Sequence, residues 1–182
     1  RTLTGLAGFD LKTGELRWRS IAEDSTFRRF WNSLPASAEV NQDANQALGL
    51  DAYLRERLYR DHQSGALAAD DTAVYTIETT LDPASFTQVR NGIIRAQNDV
   101  PPPTNRLVAY AIDGGELLWE IGGPRGEGAL PLAGHYFLGT PLVWNRRLYC
   151  LAEAGGELRL LQLQPVHAER RIEVEWSQAL VA

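Results

Sequence analysis

Apolar side chains recur in strand-sized groups along most of the chain, and two stretches share the same order of residue types. The stretch from Phe9 to Trp18 recurs from Tyr110 to Trp119, with aromatic, glycine, glutamate, leucine and tryptophan in the same register. In each stretch an apolar strand runs into a short turn whose glycine, Gly14 or Gly115, is able to adopt a positive φ. The pattern therefore predicts two β-hairpins that return through Glu-Leu-x-Trp.

A third and looser copy of the hairpin covers Leu158 to Trp176, where a longer turn over Val166 to Arg170 joins the two strands. A second unit precedes the second and third hairpins, because Gly65 to Tyr75 and Gly139 to Tyr149 align without an insertion. Together the two units form a module of four antiparallel strands. Such a module must cover both of its faces with neighbours, and stacked β-propeller blades do this.

The repeats predict an all-β dominated chain that holds about two and a half propeller blades and a small α-helical insertion. Residues 1–19 are expected to form the last two strands of one blade, and residues 20–64 the helical insertion. A second blade is expected over 65–121, interrupted by a long loop at 81–105. The third blade is expected over 122–182.

The insertion is predicted to be helical because its apolar residues follow helical spacing. Ser25 is suited to cap a short helix that ends at Pro35, and a second helix is expected from Leu50 to His62, followed by Gly65. The long loop contains the run Pro101-Pro102-Pro103. Because such a run is stiff and extended, we interpret it as a spacer.

The hairpins resemble the repeat of the pyrroloquinoline-quinone-type (PQQ-like) β-propeller family, in which an aspartate precedes a Thr-Gly turn and a tryptophan closes the outer strand. The first hairpin matches this pattern best, the second keeps its glycine and tryptophan, and the third keeps its tryptophan. In that family the tryptophan packs between adjacent blades, although an ordinary core position predicts similar burial. The resemblance implies the following structural blade-docking residues: Asp10, Gly14, Trp18, Gly115, Trp119 and Trp176.

The composition indicates a folded, soluble protein, with 44% hydrophobic and 23% charged residues. No apolar run reaches the roughly 18 residues that span a bilayer, so no transmembrane segment is expected. The net charge of −5 leaves no electrostatic footprint for a phosphate backbone, so nucleic acid is not an expected partner. The chain begins at Arg1 and contains no methionine, which we interpret as a segment of a longer protein.

Residues with catalytic or metal-binding chemistry are scattered along the chain. His62, His135 and His167 lack metal-ligand spacing, and no Gly-x-Ser-x-Gly elbow is present. Cys150 is the only cysteine, and its apolar neighbours predict an inert position in a strand core. No catalytic, metal or cofactor site is therefore expected from the sequence.

Two further features have alternative interpretations. Glu78 and Glu153 close corresponding strands of the two predicted blades, so they either face a central channel or lie at solvated strand ends. The glycine-rich stretch from Gly122 to Gly128 lacks the Gly-Lys-Ser/Thr ending of a phosphate-binding loop. We interpret it as a loop between blades.

The resemblance leaves the activity open. The best-known members of the family are dehydrogenases that hold a quinone and a calcium ion, whereas other members lack the cofactor and act as binding platforms. This chain shows neither an adjacent cysteine pair nor a recognisable ligand set. We expect a non-catalytic propeller segment of a larger bacterial protein, in an extracytoplasmic (periplasmic or membrane-associated) setting. Its expected partners are the remaining blades of its own chain or another protein.

Two alternatives stay open. The first is a fragment of a quinoprotein dehydrogenase whose missing blades supply the cofactor ligands, and a vicinal cysteine pair in flanking sequence would favour it. The second is a carbohydrate-binding propeller that uses exposed aromatic residues such as Trp31 or Trp144. Titration with soluble glycans distinguishes this alternative from a protein-binding scaffold.

Overall fold

The computed structural model describes residues 5–21, 66–80, 89–90, 93–94 and 104–181. This part of the chain is mostly β-strand, with one short 3-10 helix at His167–Glu169. The expectation of an all-β dominated fold is therefore confirmed.

The strands are listed here in chain order: β1 (Gly5–Phe9), β2 (Leu16–Ile21), β3 (Leu67–Ala69), β4 (Ala73–Thr80), β5 (Val89–Arg90), β6 (Ile93–Ile94), β7 (Thr104–Ala111), β8 (Leu117–Gly122), β9 (Tyr136–Phe137), β10 (Leu142–Trp144), β11 (Arg147–Ala154), β12 (Glu157–Val166) and β13 (Arg171–Val181).

The strands form two four-stranded antiparallel meanders and two separate hairpins. Strands β1 and β2 pair as the first hairpin, and β3-β4-β7-β8 form the central sheet. Strands β10-β11-β12-β13 form the last sheet, in which β9 also pairs with β11, and β5 pairs with β6. In the central sheet the β5–β6 hairpin lies in the connection between the adjacent strands β4 and β7, and in the last sheet β9 pairs with β11 rather than with β10, the next strand in the chain.

The first hairpin and the final hairpins of the two meanders share one irregularity. In each of them a β-bulge separates the tryptophan pair from the next pair toward the turn. A bulge places an extra residue on one strand and re-aims the side chains beside it. The pairs next to the bulges are Gly8 with Trp18, Ala109 with Trp119, and Gln162 with Trp176.

The central sheet is covered on both faces because its strands alternate side chains between two apolar clusters. Tyr75 and Ile77 of β4 belong to the cluster shared with the last sheet, and Val74 packs against the cluster shared with the first hairpin. Strand β7 divides in the same way, with Leu107 on one face and Val108 on the other. This alternation arises because successive side chains of a β-strand point to opposite faces of the sheet.

The larger cluster joins the central sheet to the last sheet, and its members are fully buried or nearly so. They are Ala73, Tyr75, Ile77, Leu107, Ala109, Trp119, Ile121, Phe137, Leu148, Cys150, Ala152, Leu161 and Leu163. The smaller cluster joins the first hairpin to the central sheet through Leu6, Val108 and Tyr110, with Trp18 and Val74 packed against it. The described sheets therefore stack face to face in three layers, and within these residues they do not close into a barrel or a complete propeller.

Two predicted boundaries are wrong. Strand β2 continues through Ser20 and Ile21, which were expected to begin the helical insertion, because both still pair with β1. Strand β7 begins at Thr104, inside the expected loop at 81–105, because Thr104 and Asn105 pair with the end of β4.

Other predictions of the sequence concern the loops. The helices expected between Ser25 and His62, and the proline run, lie outside the described residues. The loop at 81–105 contains the small β5–β6 hairpin, and strand β9 was not predicted. The prediction of a lengthened third turn is wrong: four residues from His167 to Arg170 separate β12 from β13, fewer than in the first two hairpins, and the extra residues of the third hairpin pair as strand, Gln164–Val166 with Arg171–Glu173. The positive φ expected at the turn glycines is confirmed, at +73° for Gly14 and +74° for Gly115.

Candidate functional site

Trp18 lies between two sheets and contacts a glycine in each. A Cβ atom added to Gly8, its partner in the first hairpin, or to Gly115 in the central sheet would come within 3.0 Å of the indole ring. The indole Nε1 also donates a hydrogen bond to the carbonyl oxygen of Ile112, at 2.8 Å. Because neither glycine has a side chain, the flat indole packs directly against backbone on both sides.

Asp10 organises the turn of the first hairpin. Its Oδ1 atom accepts hydrogen bonds from the backbone N–H groups of Lys12 (2.9 Å) and Thr13 (3.1 Å), and its Oδ2 atom pairs with Arg17. The Arg17 guanidinium, followed by these backbone donors, lowers the pKa of the exposed Asp10 carboxyl. Asp10 therefore shapes the turn that presents Gly14 rather than contacting Trp18 through its carboxylate.

Trp119 is buried in the cluster between the central and last sheets. Only 4% of its surface is exposed, and its ring centroid lies 5.8 Å from that of Tyr75. Unlike Trp18, its indole Nε1 has no hydrogen-bond partner among the described groups. The last sheet meets this region with the 3-10 turn at His167–Glu169 instead of a tight glycine turn.

Tyr75 belongs to a polar network that the sequence analysis missed. Its hydroxyl donates to Oδ2 of Asp70 at 2.6 Å, and Nε2 of His167 lies 3.4 Å away. Oδ1 of Asp70 accepts from the backbone N–H groups of Thr72 (2.7 Å) and Ala73 (2.8 Å). The signal in the sequence is the Asp70-Asp71 pair before a strand, since aspartate at a turn start commonly accepts backbone hydrogen bonds.

The pKa values of Asp70 and Tyr75 are shifted in opposite directions. Burial alone would raise the pKa of Asp70, but hydrogen bonds from Tyr75, Thr72 and Ala73 outweigh it and hold that pKa below its usual value. Burial, together with the nearby Asp70 carboxylate, raises the pKa of Tyr75. The pair is therefore an anionic acceptor and a neutral donor at neutral pH, which suits a structural clamp across the β3–β4 turn.

Trp176 lies on the face of the last sheet that points away from the central sheet. Register places Leu142, Tyr149 and Gln162 beside it in one row across the four strands. Trp176 is 38% exposed, and its Nε1 donates to Oε1 of Gln162 at 2.7 Å.

Exposed aromatic rings cluster on this face. The ring centroid of Tyr149 lies 6.5 Å from that of Trp176 and 6.0 Å from that of Trp144. We call this surface the outer face, defined by Leu142, Trp144, Tyr149, Leu151 and Trp176. A contiguous apolar surface of this kind is typical of an interaction site.

Polar groups border the outer face. Nε and Nη2 of Arg147 donate to the two carboxylate oxygens of Glu175 at 2.6 and 3.0 Å, a bidentate pair. Hydrogen bonds from Arg147 and then Gln162 lower the pKa of Glu175. A polar border beside exposed aromatic rings matches the composition of many protein interfaces.

Asn105 links the central sheet to β9 of the last sheet. Its side-chain Nδ2 donates to the carbonyl of Phe137 at 2.7 Å, and its Oδ1 accepts from the N–H of Phe137 at 2.8 Å. Both residues are fully buried. This pair of hydrogen bonds fixes β9 against the central sheet and satisfies backbone groups that would otherwise be costly to bury.

The two glutamates that the sequence singled out make local hydrogen bonds. Glu78 accepts from the hydroxyl of Tyr110 at 2.9 Å, and Glu153 accepts from the backbone N–H of Gly156 at 2.6 Å. The structure therefore gives each carboxylate a role in its own sheet. No group of three or more potential metal ligands occurs within the part of the chain that the structure describes.

Cys150 occupies the strand core that was predicted for it. Its side chain is 1% exposed, and burial raises the pKa of the thiol to about 12. His135 contacts the carbonyl of Leu132, His167 lies in the Tyr75 network, and His62 is outside the described residues. The described histidines and the cysteine are therefore not brought together.

A groove of about 430 Å³ runs along the junction between the first hairpin and the central sheet. Its walls include Trp18, Leu67 and Val74. The charged residues that line it are Asp113 and the ion pair of Asp10 with Arg17. The groove wall is therefore of mixed polar and apolar character.

Comparison with protein-family models, curated proteins and solved structures gives no match for this chain. Within the described ranges, no helix has the length and apolar character needed to cross a membrane.

Proposed function

We propose that this chain is a stack of β-propeller blades that serves as a protein-binding scaffold within a larger protein. The observation that carries the proposal is the contact of Trp18 with Gly115 and Ile112, which joins one sheet to the next through a residue of the hairpin pattern. The two antiparallel meanders, packed face to face, have the strand number and order of blades. The extracytoplasmic bacterial setting rests on the family resemblance.

The outer face of the last sheet supplies the proposed binding surface. Leu142 is 66% exposed and Trp144 60% exposed, next to the exposed ring of Trp176. Tryptophan and tyrosine contribute large contact areas and often dominate binding energy when a partner excludes water from them. The bidentate pair of Arg147 and Glu175 lies beside these rings and supplies groups that orient a partner.

Site-specific photocrosslinking tests the proposal. A photoreactive phenylalanine analogue at Leu142 is expected to crosslink to protein in an extract of the source cell, because this position lies on the outer face. The matched control places the analogue at Glu127, an exposed residue of the loop between β8 and β9, where no protein adduct is expected. Equal labelling at both positions, or no protein adduct at Leu142, contradicts the proposal.

A second function, carbohydrate binding, is favoured by one specific observation. The exposed ring of Trp144 lies 6.0 Å from the half-buried ring of Tyr149 at an interplanar angle of 47°, and exposed aromatic faces stack on sugar rings. Calorimetric titration with soluble glycans, comparing the native chain with Trp144→Ala, tests this function. Saturable glycan binding that is lost in Trp144→Ala, without a protein adduct at Leu142, would replace the scaffold proposal.

The same titration with pyrroloquinoline quinone and calcium tests the quinoprotein alternative. Tight binding of the quinone by this chain would favour a cofactor role over a scaffold role. The scaffold proposal expects no saturable binding of either component.

A further inference from the structure

We draw no further inference here: the strongest candidate, the groove of about 430 Å³ at the junction between the first hairpin and the central sheet, carries none because nothing in the structure shows what covers it.

Discussion

The indole Nε1 of Trp18 donates a hydrogen bond to the carbonyl oxygen of Ile112, 94 residues along the chain and in a different sheet. The same ring packs against Gly8 on one side and Gly115 on the other. One side chain therefore sets both the distance and the lateral position of the first hairpin on the central sheet. Substitutions at either glycine should disturb this contact before they disturb the sheets themselves.

The two turn glycines offer a matched pair of substitutions. Gly14→Ala forces a left-handed conformation on alanine, which costs about 1–2 kcal/mol. Gly115→Ala carries the same backbone cost and also drives a methyl group into Trp18, which adds about 1–3 kcal/mol. Urea unfolding of both variants, at a concentration where the chain is monomeric, gives the difference directly. Equal losses in the two variants would show that Trp18 does not rest on Gly115.

Asn105 is expected to be sensitive to an isosteric change. Asn105→Asp keeps the acceptor for the N–H of Phe137 but replaces the donor to its carbonyl with a carboxylate oxygen. Because the group is fully buried, we expect a loss of about 3 kcal/mol in the free energy of unfolding. Asn145→Asp is the control, since Asn145 is exposed at a turn with a φ of 49° and should change stability by less than about 0.5 kcal/mol. Similar effects in both variants would argue against the Asn105 clamp.

The Asp70 carboxyl is expected to make stability fall in acid. Its pKa in the folded protein lies below the unfolded value, so the carboxylate stabilises the fold above about pH 4 and this contribution is lost as the pH falls through the folded pKa. The stability difference between the native chain and Asp70→Asn should be constant from pH 5 to 7 and shrink below about pH 4. Urea unfolding at a series of pH values measures it. A difference that does not change with pH would contradict the network with Tyr75.

Cys150 is expected to be unreactive until the protein unfolds. Burial raises its pKa to about 12, so both access and thiolate formation are suppressed at neutral pH. Reaction with a chromogenic disulfide reagent should be at least about a hundredfold slower in the native protein than in urea. Ala129→Cys in a Cys150→Ala background provides an exposed thiol in the β8–β9 loop as a positive control. Rapid labelling of native Cys150 would mean that the core between the central and last sheets opens readily.

Several features were predictable from the sequence because they depend on neighbours along the chain. Alternating apolar residues and the turn glycines, Gly14 and Gly115, located the hairpins, since strand period and left-handed turns are local properties. The end of β2 and the start of β7 were wrong by up to two residues because pairing with a partner strand, rather than local pattern, decides where a strand stops. The helical insertion stays a prediction.

The contacts within the candidate sites also differ in how far the local sequence predicts them. The contacts of Asn105 with Phe137 and of Tyr75 with His167 join residues that are distant in sequence, so no local signal located them. The pair of Asp70 and Tyr75 is local, and the Asp70-Asp71 turn start is its signal in the sequence. The two long-range contacts form only when two sheets meet, because a buried polar group requires a partner that the other sheet or turn supplies.

The sequence by itself determined that three hairpins each carry a tryptophan in the returning strand, because strand alternation and turn chemistry are encoded within each hairpin. It did not distinguish Trp18, Trp119 and Trp176, whose local patterns are alike. Only the tertiary structure decided that Trp18 lies between two glycines, that Trp119 is buried and that Trp176 faces outward. The physical reason is that burial depends on which sheet lies opposite, and stacking order is a property of the assembled layers rather than of any one hairpin.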